Sequence, residues 1–329
     1  MWSYIVRRIL LTIPTVIGVL VLTFFLFSVL SKDPARAYAG KQPSETLLRE
    51  IRHKMGVDKP RFVNPAAVGS IGPDGKKRGL LAFFDSQFFD LLFFRFHGSM
   101  RYEESIWNLF ATRGPISLAI QLPAFFILTG LELIIALVVA NRRGSAFDIT
   151  VTIIAVLGMS IPTLSIYLAA QWFFGAKLKV FPVAGWEQGF YAIRFAALPI
   201  LCTIFSQLGY GARFYRTVVL DEINSDYVRT ARAKGVNTRE VLLTHVIRNV
   251  MIPVITQTIT ALPFLLFGAL ILEAMFQIPG LGGLLVEAIF SQDHNVVMAL
   301  TYLTAIAYCI AVLVSDILYA VVDPRISLR

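Results

Sequence analysis

Long apolar runs separated by short polar segments make up most of the chain. Each run is about 20 residues long, the length of α-helix that crosses a bilayer core of about 30 Å. The six runs cover residues 9–30, 115–140, 149–174, 196–214, 251–273 and 296–322. The pattern predicts an all-α fold, a polytopic membrane helical bundle with six transmembrane helices.

A long polar segment, residues 31–112, separates the first two runs. Its first part predicts a helix, because Ser44 can cap it, Gly56 can end it, and its apolar residues follow helical spacing. Those apolar residues are Leu47, Leu48, Ile51 and Met55. Residues 61–79 are rich in Gly and Pro, which is typical of a loop.

The last part of this segment, LLAFFDSQFFDLLFFRFHGSM, is dense in Phe and also carries Asp85, Asp90 and Arg95. It is too short and too charged to span a membrane. We expect a helix that lies in the membrane interface or packs on the bundle, with a strand as the alternative that the pattern leaves open.

The charged residues predict the orientation. The chain is 56% hydrophobic and 16% charged, with a net charge of +9. Basic residues collect in cytoplasmic loops of membrane proteins, and the short loops predicted to lie outside hold only Lys177, Lys179 and Arg194. Both termini are therefore predicted in the cytoplasm, and the charge needs no nucleic-acid partner. The predicted parts are a first transmembrane helix (1–30), an extracytoplasmic segment (31–112) and a five-helix core (113–329).

One inner stretch, DYVRTARAKG, is unusually polar for this chain. Ser225 or Asp226 can cap a helix of about two turns that Gly235 ends in the left-handed conformation. Asn237 and Glu240 form a pair that would start the next helix.

A helix of two turns is not stable alone, so one face must be buried by a partner. The small residues Ala231 and Ala233 allow close approach, Tyr227 offers a flat apolar anchor, and basic side chains offer complementary charge. The alternative is an ordinary basic loop that lies on anionic headgroups.

Polar side chains within the runs are candidates for a wet pathway, because charge in a membrane is costly and faces the bundle interior. For Glu132, a pathway role and a structural, hydrogen-bonded role are equal alternatives. Glu273 could line an outer vestibule, although a plain interfacial position is favoured. Ser160 and Pro162 mark a kink in the third run that either borders the pathway or serves packing.

Sequence motifs for catalysis are absent. Gly-x-x-x-x-Gly-Lys-Ser/Thr, Gly-x-Ser-x-Gly and His-Glu-x-x-His do not occur. The sequence therefore predicts that this chain is not an enzyme and binds no metal ion or cofactor itself.

Several stretches in order resemble one family. YVRTARAKG followed by HVIRN is similar to the cytoplasmic loop of ABC-transporter permeases in dipeptide, oligopeptide and nickel importers. The general importer pattern is Glu-Ala-Ala, three residues, Gly, nine residues and Ile-x-Leu-Pro. Only Ala231, Gly235 and an aliphatic residue match it, and Arg229 stands in place of the Glu. Further resemblances are RRILLTIPTVIGVLVLTFFLF, SIPT, EAMFQIPGLGGLLVEAI and DILYAVVDPRI. The loop at 61–79 and the Phe-rich stretch depart from the family.

The resemblance implies a permease subunit of an ATP-driven importer in the cytoplasmic (inner) membrane, with a coupling region at 225–244. The residues implied to contact the ATPase are Tyr227, Arg229, Thr230, Ala231, Arg232, Ala233, Lys234 and Gly235. The implied partners are the lipid bilayer, a second homologous permease, two ATP-binding subunits that hold ATP and Mg²⁺, and an extracytoplasmic solute-binding protein.

The resemblance implies di- or oligopeptides as cargo, with nickel or a metal chelate as the alternative. An ATP-independent channel or ion-coupled carrier is a hypothesis of another class. It would need its own coupling residues, for which Glu132 is the one candidate. A membrane-bound enzyme is disfavoured by the missing motifs.

Overall fold

The computed structural model describes residues 2–30, 33–40, 43–70, 79–237, 240–266 and 269–322. Regular structure in these residues is helical, as predicted. The helices are α1 (Trp2–Phe24), α2 (Pro34–Ala39), α3 (Glu45–Met55), α4 (Gln87–Leu92), α5 (Ile106–Asn141), α6 (Ala146–Ser160), α7 (Thr163–Ala170), α8 (Ala192–Ile223), α9 (Asp226–Ala233), α10 (Ile247–Leu266), α11 (Leu270–Met275), α12 (Leu281–Phe290) and α13 (His294–Val322). π-Helical turns continue α1 (Phe25–Leu30) and α7 (Gln171–Lys177) and precede α10 (Val241–Val246), and 3₁₀ turns cover Pro65–Ala67, Leu80–Phe84 and Gly189–Tyr191.

Apolar helices long enough to cross a membrane account for the first, second, fourth and sixth predicted runs. Among the described residues they are Ile5–Leu30, Ile106–Asn141, Gly189–Ile223 and His294–Ile317. Because a helix satisfies its backbone hydrogen bonds within itself, each can stand in hydrocarbon without further polar partners.

The third and fifth predicted runs are broken. Ala146–Ser160 and Thr163–Lys177 meet at a bend of 91°, so the third run consists of two helices. The fifth run falls on α10 and α11, and residues 267–268 between them lie outside the described ranges. Six spans and the cytoplasmic position of both termini therefore stay predictions.

The chain divides into two compact units. Unit 1 comprises Met1–Gly114 and Leu284–Leu313, and unit 2 comprises Pro115–Gly283 and Val314–Arg329. Residues 284–313, which the sequence places in the five-helix core, thus group with the first helix and the long polar segment.

In unit 1, α3 follows its sequence prediction closely. The Ser44 hydroxyl accepts a hydrogen bond from the Leu47 N–H (3.3 Å), and Gly56 ends the helix with φ +71°. Leu47 itself is exposed, whereas the other three apolar residues of its predicted face are buried together with Ala35.

An ion pair joins α3 to the start of α2. Asp33 caps α2 by accepting from the Ala35 N–H (3.1 Å), and it also accepts from Nε of Arg52 (3.1 Å). This guanidinium lowers the pKa of the Asp33 carboxyl below its ordinary value. The pair therefore favours the charged carboxylate in the folded protein.

The Phe-rich segment packs on the bundle, which is one of the alternatives that the sequence left open. Only Gln87–Leu92 is α-helical. Leu91 is buried with Leu20, Phe24 and Tyr302, and other Phe side chains of the segment pack around them. No strand occurs in this segment as the structure describes it.

The charges of this segment are neutralised locally. Asp90 is 5% exposed, and Nζ of Lys59 lies 2.7 Å from its carboxylate and 2.9 Å from that of Asp85. Because a paired and hydrogen-bonded charge can be buried at much lower cost than an isolated one, the two acids are compatible with an apolar surrounding.

In unit 2, a bidentate ion pair fastens the start of α6 to α8. Arg216 donates to both carboxylate oxygens of Asp148 (2.9 and 2.8 Å), and the Gly144 N–H donates to the same carboxylate (2.9 Å). Asp148 is 5% exposed. This geometry fixes the turn between α5 and α6 against α8.

The contact between Gly56 and His97 can be tested by adding a methyl group. A Cβ at Gly56 would overlap the His97 ring, whereas one at Gly69 would meet no atom within 4 Å, and both glycines have positive φ. We expect Gly56→Ala to lower stability by about 1–3 kcal/mol beyond the effect of Gly69→Ala, because only the first variant adds overpacking to backbone strain. Thermal unfolding in detergent measures the difference, and equal losses would contradict the contact.

Acid should weaken the Asp33–Arg52 pair. Since the folded pKa of Asp33 is lowered, its stabilisation is complete above the unfolded value of about 3.9 and is lost as the pH falls through the lower folded value. We expect the melting temperature of the wild type to fall more than that of Asp33→Asn between about pH 5 and about pH 2. If the melting temperatures of the wild type and Asp33→Asn fell equally with pH, this would argue against the Asp33–Arg52 ion pair.

Candidate functional site

The short basic stretch forms a helix that a glycine ends, as the sequence predicts. α9 covers Asp226–Ala233, and Gly235 follows with φ +82°. The Val236 N–H donates to the Ala231 carbonyl (3.2 Å) across this glycine. The left-handed residue thus closes the C-terminus of α9.

The predicted side-chain cap of α9 is wrong. Ser225 occupies the N-cap position but makes no capping hydrogen bond, because its hydroxyl donates to the Glu222 carbonyl instead (2.6 Å). The next helix start, predicted at Asn237 and Glu240, includes residues 238–239, which lie outside the described ranges.

Val228 fastens α9 to the rest of unit 2. Its side chain is 0% exposed and lies among buried side chains of α5, α8, α10 and the π-helical turn before α10. We call this group the valine cluster. Its other buried members are Ala136, Ala140, Tyr215, Val219, Val241, Leu242, Val246, Val250 and Val254. Full burial of a valine side chain contributes about 1.5–3 kcal/mol, which a helix of two turns needs.

Sequence reasoning missed Val228. The prediction named Ala231 and Ala233 for the close approach of a partner, and it named no residue that packs α9 against its own chain. Ala231 is partly buried and Ala233 is exposed, and their contact with a partner stays a prediction. The sequence does offer a sign of this role. Val228 is the largest aliphatic residue in a helix whose other residues are mostly polar or small, so it is the residue expected to be buried.

The opposite face of α9 is exposed and basic. The Arg229 side chain is 74% exposed and lies 3.4 Å from Asp226. Exposed residues of the predicted coupling set are Tyr227, Arg229, Thr230, Arg232, Ala233, Lys234 and Gly235. Most residues of this set are therefore accessible on α9, while the buried Val228 side chain packs the helix against unit 2.

A hydrogen bond holds the first turn of α9. The Tyr227 hydroxyl donates to Oε2 of Glu222 at the end of α8 (2.7 Å). Partial burial and this bond raise the pKa of the Tyr227 phenol. The predicted apolar anchor therefore binds its own chain through its hydroxyl.

Glu132 lies inside unit 2, opposite a glycine of α8. It is 7% exposed, and its carboxylate occupies the space that a Cβ at Gly211 would take. In the described part of the chain, no group is seen to donate a hydrogen bond to this carboxylate. Both alternatives for Glu132, the pathway role and the structural role, stay predictions.

Ser160 and Pro162 lie at the bend between α6 and α7. Both are exposed, and the Ser160 hydroxyl donates to the Val156 carbonyl within α6 (2.9 Å). Pro162 stands at the N-cap position of α7. The two residues therefore belong to a sharp exposed turn, and a role in the pathway stays a prediction.

Glu273 is fully buried at 0% exposure. Its Oε2 accepts from the Gly283 N–H (3.0 Å), and the neighbouring Ser117 hydroxyl accepts from the Leu281 N–H (2.8 Å). A Cβ at Gly280 would overlap both side chains. The carboxylate and the hydroxyl thus bind free N–H groups in the first turn of α12, and a vestibule role stays a prediction.

The predicted pathway residues have different surroundings within unit 2. Glu132 faces α8, Glu273 binds the first turn of α12, and Ser160 lies at an exposed bend. Among the described residues, no group of three or more His, Cys, Asp or Glu side chains could hold a metal ion.

The fold and α9 define a class: an integral membrane protein of long apolar helices that carries one short, exposed, basic helix. Residues 132–328 match the family model of the binding-protein-dependent transport system inner membrane component. Residues 1–66 match the N-terminal model of membrane components of binding-protein-dependent transport systems. The chain therefore belongs to this family and is a multi-pass integral membrane protein.

Named relatives align over nearly the full chain. A Brucella suis protein, provisionally named a peptide transport system permease, is 33% identical, with 99% of each chain covered. The glutathione transport system permease protein GsiC of Escherichia coli is 31% identical over 100% of both chains. The dipeptide transport system permease protein DppB of Lactococcus lactis is 28% identical, also over 100% of both.

The close approach of α5 and α8 can be tested at Gly211. An added Cβ there would overlap the Glu132 carboxylate, whereas one at Gly130 of α5 would meet no atom within 4 Å. We expect Gly211→Ala to destabilise the protein by about 1–3 kcal/mol and Gly130→Ala to be neutral or stabilising by up to about 1 kcal/mol. Thermal unfolding of both variants in detergent tests this, and a neutral Gly211→Ala would show that the two helices are not in contact there.

Proposed function

We propose that this chain is the permease subunit of an ATP-driven importer of di- or oligopeptides in the cytoplasmic (inner) membrane. α9 is the observation that carries the proposal. It is a short helix with an exposed basic face, and its one buried anchor lies among three long helices and a π-helical turn. A partner that moves α9 therefore moves residues of α5, α8 and α10 with it.

The proposed topology has six spans with both termini in the cytoplasm. It is supported by the apolar helices and by the basic residues at α9, which follow the rule that Lys and Arg stay inside. In this topology α9 lies on the cytoplasmic side, where a nucleotide-hydrolysing subunit could reach it.

The proposed complex contains a second homologous permease, two ATP-binding subunits and an extracytoplasmic solute-binding protein. ATP and Mg²⁺ are bound by the ATP-binding subunits, and this chain contributes no catalytic residue. The family's own description, a component of binding-protein-dependent transport systems, supports a complex with several components.

Peptide cargo is supported by the names of the relatives, which include a dipeptide and a glutathione permease. Glu132, Ser160, Pro162 and Glu273 remain the proposed pathway residues, and the two buried acids, Glu132 and Glu273, would be exposed when the helices move. A nickel or metal-chelate importer is the second candidate, and the resemblance of the coupling stretch to nickel permeases favours it over an ATP-independent carrier.

The decisive experiment is peptide uptake by vesicles that contain the full complex. We expect uptake of a labelled dipeptide that needs ATP inside and the binding protein outside. Uptake without ATP would contradict the proposal in favour of a carrier, and uptake of Ni²⁺ alone would favour the second candidate.

Gly235 gives this function a residue-level test. A Cβ at Gly235 would meet no atom within 4 Å, so Gly235→Ala probes only its φ of +82°. We expect ATP-driven uptake to fall about fivefold to thirtyfold, because the left-handed conformation costs a non-glycine residue about 1–2 kcal/mol. Gly144→Ala, at φ +77° and equally open, is the matched control. If both variants transport equally, the end of α9 does not serve coupling.

A further inference from the structure

Val228 holds α9 from one face only. It is the one residue of Asp226–Ala233 that is buried, and Ala231, three residues on, is partly buried against the same cluster. Residues three apart lie on one face of a helix, so both contacts hold the same side of α9. Transmission of a push would therefore need a second fastening, away from Val228.

Glu222 supplies such a fastening. Its Oε2 accepts hydrogen bonds from the hydroxyl of Tyr227 in α9 (2.7 Å) and from Nδ2 of Asn249 in α10 (3.3 Å). Glu222 itself lies in the last turn of α8. One carboxylate oxygen thus joins three helices, and hydrogen bonds to a charged acceptor are stronger than neutral ones.

The backbone of the same residue fixes the turn that leads into α9. The Ser225 hydroxyl and N–H both donate to the Glu222 carbonyl (2.6 and 3.2 Å). The side chain and the main chain of Glu222 therefore hold both the connection to α9 and its first turn.

We propose that Glu222 is a positioning residue that sets the rotation of α9 and ties α9 to both α8 and α10. With Glu222 in place, displacement of α9 by a partner is passed to both helices. Without it, α9 turns about Val228 and the displacement is partly lost. The predicted effect of Glu222 on transport rests on the proposed function. Its effect on the rotation of α9 does not, because that effect follows from contacts within this chain.

The adjacent acid provides a matched control. Asp221 is exposed, and in the described part of the chain it makes no hydrogen bond or ion pair. Asp221→Ala and Glu222→Ala remove the same charge one residue apart at the end of α8. An effect that came from net charge alone would appear in both variants.

The test uses the complete importer in vesicles and measures the peptide transported per ATP hydrolysed. We expect Glu222→Ala and Tyr227→Phe to lower this ratio by about three- to tenfold, the effect of losing one or two hydrogen bonds. Glu222→Gln, which keeps an acceptor at the same reach, should recover part of it. The double variant should be no worse than Glu222→Ala, because both changes remove one interaction.

Hydrogen exchange of the amides of α9 tests the fastening independently of transport. Faster exchange at residues 226–233 in Glu222→Ala than in Asp221→Ala supports it, even if the wild-type complex imports no peptide and the proposed function fails. A wild-type transport ratio in both Glu222→Ala and Tyr227→Phe would overturn the inference. The inference would also be overturned if the losses of the two single variants multiplied in the double variant. It would be overturned too if Glu222→Ala reduced the amount of assembled importer but left the peptide transported per ATP unchanged.

Discussion

The position of α9 in unit 2 depends on the burial of one valine among other aliphatic side chains. Val228 reaches a cluster to which α5, α8 and α10 each contribute. Protein interiors are packed as densely as organic crystals, so a displaced side chain moves its neighbours rather than compressing them. A short helix with little stability of its own thereby becomes mechanically part of three long ones.

A second constraint is that backbone polar groups in an apolar surrounding need partners, and in unit 2 polar side chains provide them where helices break. Nε2 of Gln171 donates to the carbonyls of Met275 (2.9 Å) and Val183 (3.0 Å). The hydroxyl of Ser117 and the carboxylate of Glu273 accept from N–H groups in the first turn of α12. A break in a helix is tolerated when other protein groups replace the backbone hydrogen bonds that are missing there. Buried polar residues such as Gln171 and Glu273 therefore also serve the backbone at these places.

The elements that the sequence predicts best are those set by neighbours along the chain. The runs of apolar residues give four of the long helices, and Ser44, Gly56 and Gly235 mark helix ends that the structure has. These features depend on local backbone preferences and on hydrophobic length, which a single sequence contains.

What the sequence does not reveal depends on contacts between distant residues. The 91° bend between α6 and α7 is far sharper than a proline kink suggests, and the pairing of Lys59 with Asp85 and Asp90 joins residues about 30 positions apart. Gly211 against Glu132 and Glu222 beneath Tyr227 likewise need the packing of α8 to be known. Periodicity identifies which face of a helix is apolar but not which helix covers it.

The burial of Val228 also bears on the two alternatives for the basic stretch. A helix that lies on a membrane surface inserts a face of large apolar side chains between the headgroups. In α9 the largest aliphatic side chain is already inside the protein, and Tyr227 is fastened through its hydroxyl to Glu222. The face that remains exposed carries Arg229, Arg232 and Lys234 beside small residues. That face offers charge but little aliphatic area to insert, and whether acidic protein groups or anionic headgroups bind it stays a prediction.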